Sequence, residues 1–151
     1  MNPAGRAILK AVPHTPPHEE PSEDFPFQLT TGRTVHHWHT RTKTGRAPEL
    51  QAAAPEVWVE LHEDDAAELG IAAGDRCRVV SPRGRIEAEA RLGRPRRGQV
   101  FVPFHYGYWD LGDAGPTGRG RAANELTITA WDPVSKQPLF KTAAVRVEKV
   151  T

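Results

Sequence analysis

Residues 85–92 alternate without a break: Ile86, Ala88, Ala90 and Leu92 are apolar, and Arg85, Glu87, Glu89 and Arg91 between them are charged. Successive side chains of a strand point to opposite faces, so this segment predicts a strand with one buried and one wet face. Arg76 to Ser81 reads as a second strand, joined to the first through Pro82-Arg83-Gly84. Val57–Leu61 alternates as well, and Phe25–Thr30, Gly98–Phe104, Leu126–Thr129 and Thr142–Val150 read as further short strands. The clearest helical signal follows Val57–Leu61. Asp64 and Asp65 suit the positive end of a helix dipole, Ala66, Ala67, Glu68 and Leu69 are helix formers, and Gly70 suits a C-terminal cap. Six or seven short strands with one or two helices predict a mainly β chain, a small barrel rather than a doubly wound sheet.

The 151 residues suffice for one domain with its own core. Lys and Arg number 20 against 19 Asp and Glu, a net charge of +1 that argues against a strongly basic nucleic-acid binder. There is no apolar run long enough for a membrane span and no apolar core of a secretory signal, so a cytoplasmic location is expected. The single cysteine, Cys77, rules out an internal disulfide, an all-cysteine zinc site and an iron–sulfur cluster housed by this chain alone. Cys77 is expected to be a buried structural thiol, because strand alternation turns Arg76 and Arg78 away from it.

Residues 1–24 differ from the rest. Arg6–Lys10 looks like a short strand, followed by Pro13, Pro16, Pro17 and Pro21 among Glu19, Glu20, Glu23 and Asp24. Such an acidic, Pro-rich connector buries little surface. A strand leading into it suggests a tail arriving from an upstream domain, in which case Met1 need not be the start of the gene. The globular domain is expected over 25–151.

Residues 32–56 carry Gly32, Gly45, three His and four Thr with little apolar periodicity, which predicts a long polar loop of functional interest. Gly32 suits close backbone approach or a positive φ, and Arg33 reads either as a surface residue of a plain turn or as a fork onto a phosphate or carbonyl edge. His37 and His39 share one side of an extended segment, and His105 is a candidate third zinc ligand. That leaves an autonomous zinc hydrolase as one reading, although no carboxylate or Cys has a matching spacing. Hydrogen-bonding imidazoles in a ligand-facing loop, with Thr40, Thr42 and Thr44 beside them, are the other. Trp38, Trp58, Trp109 and Trp131 read as core or rim residues. The arginines at 91, 94, 96 and 97 resemble a phosphate patch, with a solvated basic turn as the default reading. Phe104-His105-Tyr106 follows a strand and is placed to border a cavity. No nucleophile–base set and no glycine-rich phosphate loop is present.

Taken in order, the segments say more. Thr31-Gly32-Arg33-Thr34-Val35-His36-His37-Trp38-His39-Thr40 resembles the pterin-contacting segment of molybdopterin oxidoreductases. Asp64–Ile71, Gly74-Asp75, Ser81-Pro82-Arg83-Gly84, Gly98–Phe104, Asn124-Glu125-Leu126-Thr127, Asp132-Pro133, Ser135–Pro138, Phe140-Lys141 and Ala144–Val147 continue the series through residue 150. The resemblance implies the C-terminal molybdopterin dinucleotide-binding domain of the dimethyl sulfoxide reductase superfamily, a double-psi β-barrel. The implied ligand is bis(molybdopterin guanine dinucleotide) carrying molybdenum. Thr31, Gly32, Arg33, His37, His39 and Thr40 would wrap its pterin and phosphate parts, Asn124 and Lys141 would add contacts, and Phe104 would lie near the substrate approach.

Within that superfamily the His-Trp-His-Thr loop and the Pro-Phe-His-Tyr segment look most like prokaryotic nitrate reductases. The same domain of formate dehydrogenase catalytic subunits is the alternative. One departure is the long stretch 107–121 between Phe104 and Asn124, which weakens the case for Phe104. The resemblance places the metal ligand and the iron–sulfur cysteines in upstream domains of the same enzyme. The expected partners are therefore those domains and a small anionic substrate such as nitrate, with no nucleic acid and no membrane, and no turnover from this domain alone.

Overall fold

The computed structural model describes residues 5–111 and 120–150. Six strands form a closed barrel: β1 Phe27–Gly32, β2 Trp58–His62, β3 Arg76–Val80, β4 Arg85–Gly93, β5 Gln99–Pro103 and β6 Thr142–Lys149. Their order around the barrel is β1-β5-β2-β4-β3-β6. Two pairs are parallel, β1 with β5 and β2 with β4, and the others antiparallel. Exchanging β1 with β4, β2 with β5 and β3 with β6 leaves that pairing scheme unchanged. The barrel is thus built from two interlocked three-strand units, the doubled architecture of the double-psi barrel. Closure gives each strand two neighbours and leaves no open sheet edge.

Alternation decides which side chains fill the barrel. Leu29, Val59, Leu61, Cys77, Val79, Ile86, Ala88, Val100, Val102 and Val145 have no exposed surface. The pattern of β4 holds for Ile86, Ala88 and Ala90 but fails at Leu92, which is 39% exposed. β3 begins at Arg76, opposite Glu89, so the last residues of β4 run past it with β2 alone alongside. Cys77 is a core thiol as expected, and burial pushes its pKa up to about 11, away from reactivity.

Helix α2, Glu63–Glu68, has three acidic residues in its first turn and a cap from His62, whose Nδ1 accepts from the Asp64 amide. Asp65 is buried and accepts from the Gly98 amide at 2.7 Å, which fixes the turn leading into β5. No described helix is long and apolar enough to cross a membrane.

Three local expectations are corrected. Leu126–Thr129 is not a strand: a 3-10 turn at Ala123–Glu125 leads into irregular backbone, with only Leu126 and Thr127 buried. The barrel is closed without it. Arg6–Lys10 forms no strand either, and Ile8 and Leu9 are exposed. The polar stretch 32–56 is not all loop, because it contains a 3-10 turn, Thr44–Arg46, and helix α1, Pro48–Ala53. At six residues α1 is too short to stand on propensity. Tertiary bonds hold it: Arg41 Nη2 donates to Gln51 Oε1 at 2.7 Å, and the His37 ring donates to the Ala54 carbonyl just beyond it at 2.7 Å.

Candidate functional site

Three strand ends meet at one rim of the barrel. β1 ends at Gly32 and delivers Arg33. β5 runs parallel to it with Pro103 opposite Gly32, so Phe104 arrives beside Arg33. The Arg33 guanidinium lies 5.7 Å from the centre of the Phe104 ring. β6 is antiparallel to β1, which brings its preceding residue, Lys141, across from Thr31. The Thr31 amide donates to the Lys141 carbonyl (3.3 Å), the Lys141 ammonium donates back to the Thr31 carbonyl (3.2 Å), and Thr31 Oγ1 donates to the Phe140 carbonyl (2.9 Å). Lys141 Nζ also sits 4.7 Å from the Phe104 ring centre. Residues more than a hundred positions apart are thus fixed by strand register.

The loop after Arg33 supplies His39 and Thr40. His105, almost fully buried, holds it: Nε2 accepts from the Thr34 amide at 2.8 Å and Nδ1 donates to the His39 carbonyl at 2.6 Å. These partners make His105 a neutral Nδ1–H tautomer. Burial pushes its pKa below the ordinary value, an effect the His39 carbonyl opposes and the neighbouring His37, Arg33 and Arg41 reinforce. Further along, Trp109 Nε1 donates to the Thr40 carbonyl, and the buried Arg41 bonds Asp110 at 3.0 Å. Arg121 reaches the other oxygen of Asp110, so two arginines share one carboxylate behind the loop.

Arg33, His39, Thr40, Phe104, Asn124 and Lys141 converge on a cavity of about 570 Å³, completed by Thr127, Ile128, Thr129, Pro138 and Phe140. That volume is typical of small-molecule sites. Among the described residues its lining holds two cations, Arg33 and Lys141, and no carboxylate. Burial, and then the charge of Arg33, push the Lys141 pKa down. Like charges gathered without a counter-ion are stabilised by an anion brought in from outside. A second hollow of about 410 Å³, lined by Thr129, Trp131, Lys136 and Pro138, adjoins it through the shared Thr129 and Pro138.

The structure separates the other candidates from this lining. Thr31 is buried beneath the cavity and acts through its backbone on Lys141. Gly32 has no positive φ. Its missing side chain makes room for Phe101, whose ring carbon would lie 2.6 Å from an added Cβ. His37 is interior, with one ring nitrogen on the Ala54 carbonyl and the other 3.1 Å from Thr44 Oγ1. The zinc reading fails on the same grounds, since His37 and His105 both spend both nitrogens on other partners. Among the described residues no group of three or more His, Cys, Asp or Glu is placed to hold a metal. Thr127–Thr129 and Pro138 belong to segments the sequence reads only as a strand and a turn, so their place in the lining comes from the fold alone. Part of the stretch 107–121 lies outside the described residues.

Residues 27–144 match the model of the Molydopterin dinucleotide binding domain. The chain belongs to that family. Across 150 residues it is 44% identical to a nitrate reductase of Symbiobacterium thermophilum, a match that covers 97% of this chain and 19% of that protein. A molybdopterin-binding domain of this kind therefore spans only a small part of the curated relative it matches. The barrel also superimposes on acetylene hydratase from Pelobacter acetylenicus, with a TM-score of 0.71 at 18% identity, covering 85% of this chain and 19% of that one. At that identity the likeness is one of fold.

The lining fits the organic part of a molybdopterin dinucleotide. Among the described residues no carboxylate pairs with Arg33 or Lys141, and both suit phosphate oxygens. Asn124, Thr40 and His39 offer donors and acceptors to the amide-like edges of a pterin, and Phe104 and Phe140 give the cavity flat apolar walls.

Proposed function

We propose that this domain holds the pterin and phosphate parts of bis(molybdopterin guanine dinucleotide) within a larger molybdenum oxidoreductase of the nitrate reductase type. The observation that carries the reading is the cavity into which strand register brings Arg33 and Lys141, with no carboxylate in its lining among the described residues. Family membership supports the class of ligand, and the 44% identity to a nitrate reductase supports nitrate over formate as the substrate. The cofactor, when bound, supplies the redox chemistry, and the protein binds and orients it.

In this reading Arg33 and Lys141 hold phosphate oxygens, with Thr31 setting the Lys141 ammonium through its carbonyl. Asn124, Thr40 and His39 bind the pterin edges. Gly32 and His37 act from behind, the first by admitting Phe101 and the second by pinning the loop to α1. Phe104 faces the approach of a small anion. The metal ligand and the iron–sulfur cluster belong to upstream domains of the same enzyme, which are the domain's partners, and the domain alone turns nothing over. Residues 25–151 form the cofactor-binding domain and 1–24 lead into it.

The test is cofactor content. In the complete enzyme, Arg33→Ala combined with Lys141→Ala should lower the pterin released on oxidation several-fold per protein, read by its fluorescence, with the fold retained by circular dichroism. Full pterin content in the double variant would contradict the assignment.

A further inference from the structure

One ion pair outside the cavity connects the leading segment to both of its walls. Arg83, in the turn between β3 and β4, donates Nη1 and Nη2 to the two carboxylate oxygens of Glu19 at 2.6 and 2.8 Å. The same guanidinium donates Nε and Nη2 to the Leu126 carbonyl at 3.1 and 2.9 Å. Glu19 accepts a third bond, from the Ala144 amide at 2.6 Å. The arginine fork, and after it the Ala144 amide, hold the Glu19 carboxyl below its ordinary pKa against the opposing effect of burial.

These contacts fall where the cavity most lacks other support. The wall from Asn124 to Thr129 belongs to no strand. Among the described residues its remaining hydrogen bonds run within the 122–127 stretch or to Tyr108, itself in a loop. Gly84, the neighbour of Arg83, packs against this wall so closely that an added Cβ would meet the Glu125 carbonyl at 2.9 Å. On the other side, Ala144 lies on β6 three residues past Lys141. Only a planar fork satisfies a carboxylate and a backbone carbonyl together, which an ammonium cannot reproduce.

We propose that Arg83 is a positioning residue for the cavity wall that carries Asn124, and that Glu19 of the leading segment is the clasp that sets it. Displacement of the leading segment then loosens the Asn124–Thr129 wall and the start of β6 together. The ligand part of the test rests on the cavity being the cofactor site, whereas the backbone part does not.

Amide hydrogen exchange on this chain tests the clasp with Arg83→Lys, which keeps the charge and loses the fork, and with Glu19→Gln. Both should speed exchange at Leu126, whose amide is bonded to Ala123, and at residues 142–144 by ~10-fold or more, a local opening, while the β2 amides stay unchanged. Inorganic pyrophosphate should bind both variants several-fold more weakly, and the double variant should bind no worse than Arg83→Lys, because the two residues act as one unit. Should Arg83→Lys fail to fold, Glu19→Gln gives the same readout. Unchanged exchange at Leu126, uniformly faster exchange through the barrel, or additive losses in the double variant would overturn the proposal. Failure of the unaltered chain to bind pyrophosphate would count against the cofactor reading and leave the exchange result to decide the clasp.

Discussion

Leu29 and Arg33 are four residues apart and answer to different physics. Leu29 faces the barrel interior with no exposed surface, one of a set of aliphatic side chains drawn from all six strands. Arg33 lies just past the end of the same strand, where the sheet stops and the backbone leaves the barrel. There Arg33 and Lys141 face a cavity whose described lining has no acid, and the hydrogen bonds that place its walls come from single side chains: His105, Arg83, Thr31. The interior is held redundantly by burial and strand pairing. The rim is held by a few directional contacts, each with its own consequence. Stability and binding should therefore separate by substitution.

The largest effect should come from the interior. Ile86→Ala removes a fully buried side chain from the barrel and should cost about 2–5 kcal/mol, read as a fall in the denaturant midpoint. A loss well under that range would mean the barrel repacks easily and would blur the contrast. Behind the loop, Asp110→Asn leaves two arginines, one of them 1% exposed, without their shared carboxylate. Asp110 itself is partly exposed, so the cost should be about 2–3 kcal/mol, below that of breaking a fully buried pair. Equal stability of the variant would show that Arg41 has other means of support.

The smallest effect is one of pH. His105 is neutral in the fold with its pKa lowered, so below about pH 6.5 the unfolded chain takes up a proton that the folded ring refuses. Its contribution is fully present above that pH and declines as pH falls toward the folded value. His105→Gln should flatten this part of the stability–pH curve. An unchanged slope would mean that other groups produce it.

The same contrast explains what was legible in the sequence. All six barrel strands are legible to within two residues, β4 and β2 by period-two alternation, because burial on one face writes itself directly into the order of residues. Asn124 and Lys141 carry no such mark. They were named through the ordered resemblance, and what brings them together is register between strands far apart in sequence. Leu126–Thr129 reads as a strand by composition, yet no sheet edge is open to receive it. His37 and His105 look like ligands in a linear reading, and only the fold shows that Ala54, Thr44, Thr34 and His39 already occupy their nitrogens. Glu19 and Arg83, 64 positions apart, gave no signal as a pair.

The most direct test of the central claim is a titration of this chain with inorganic pyrophosphate, followed residue by residue through backbone and side-chain NMR shifts. The account predicts saturable shifts concentrated at Arg33, Thr40, Asn124 and Lys141, abolished by Lys141→Ala without loss of the fold. Shifts centred instead on the basic turn at Arg94 and Arg96, or unaffected by Lys141→Ala, would contradict it.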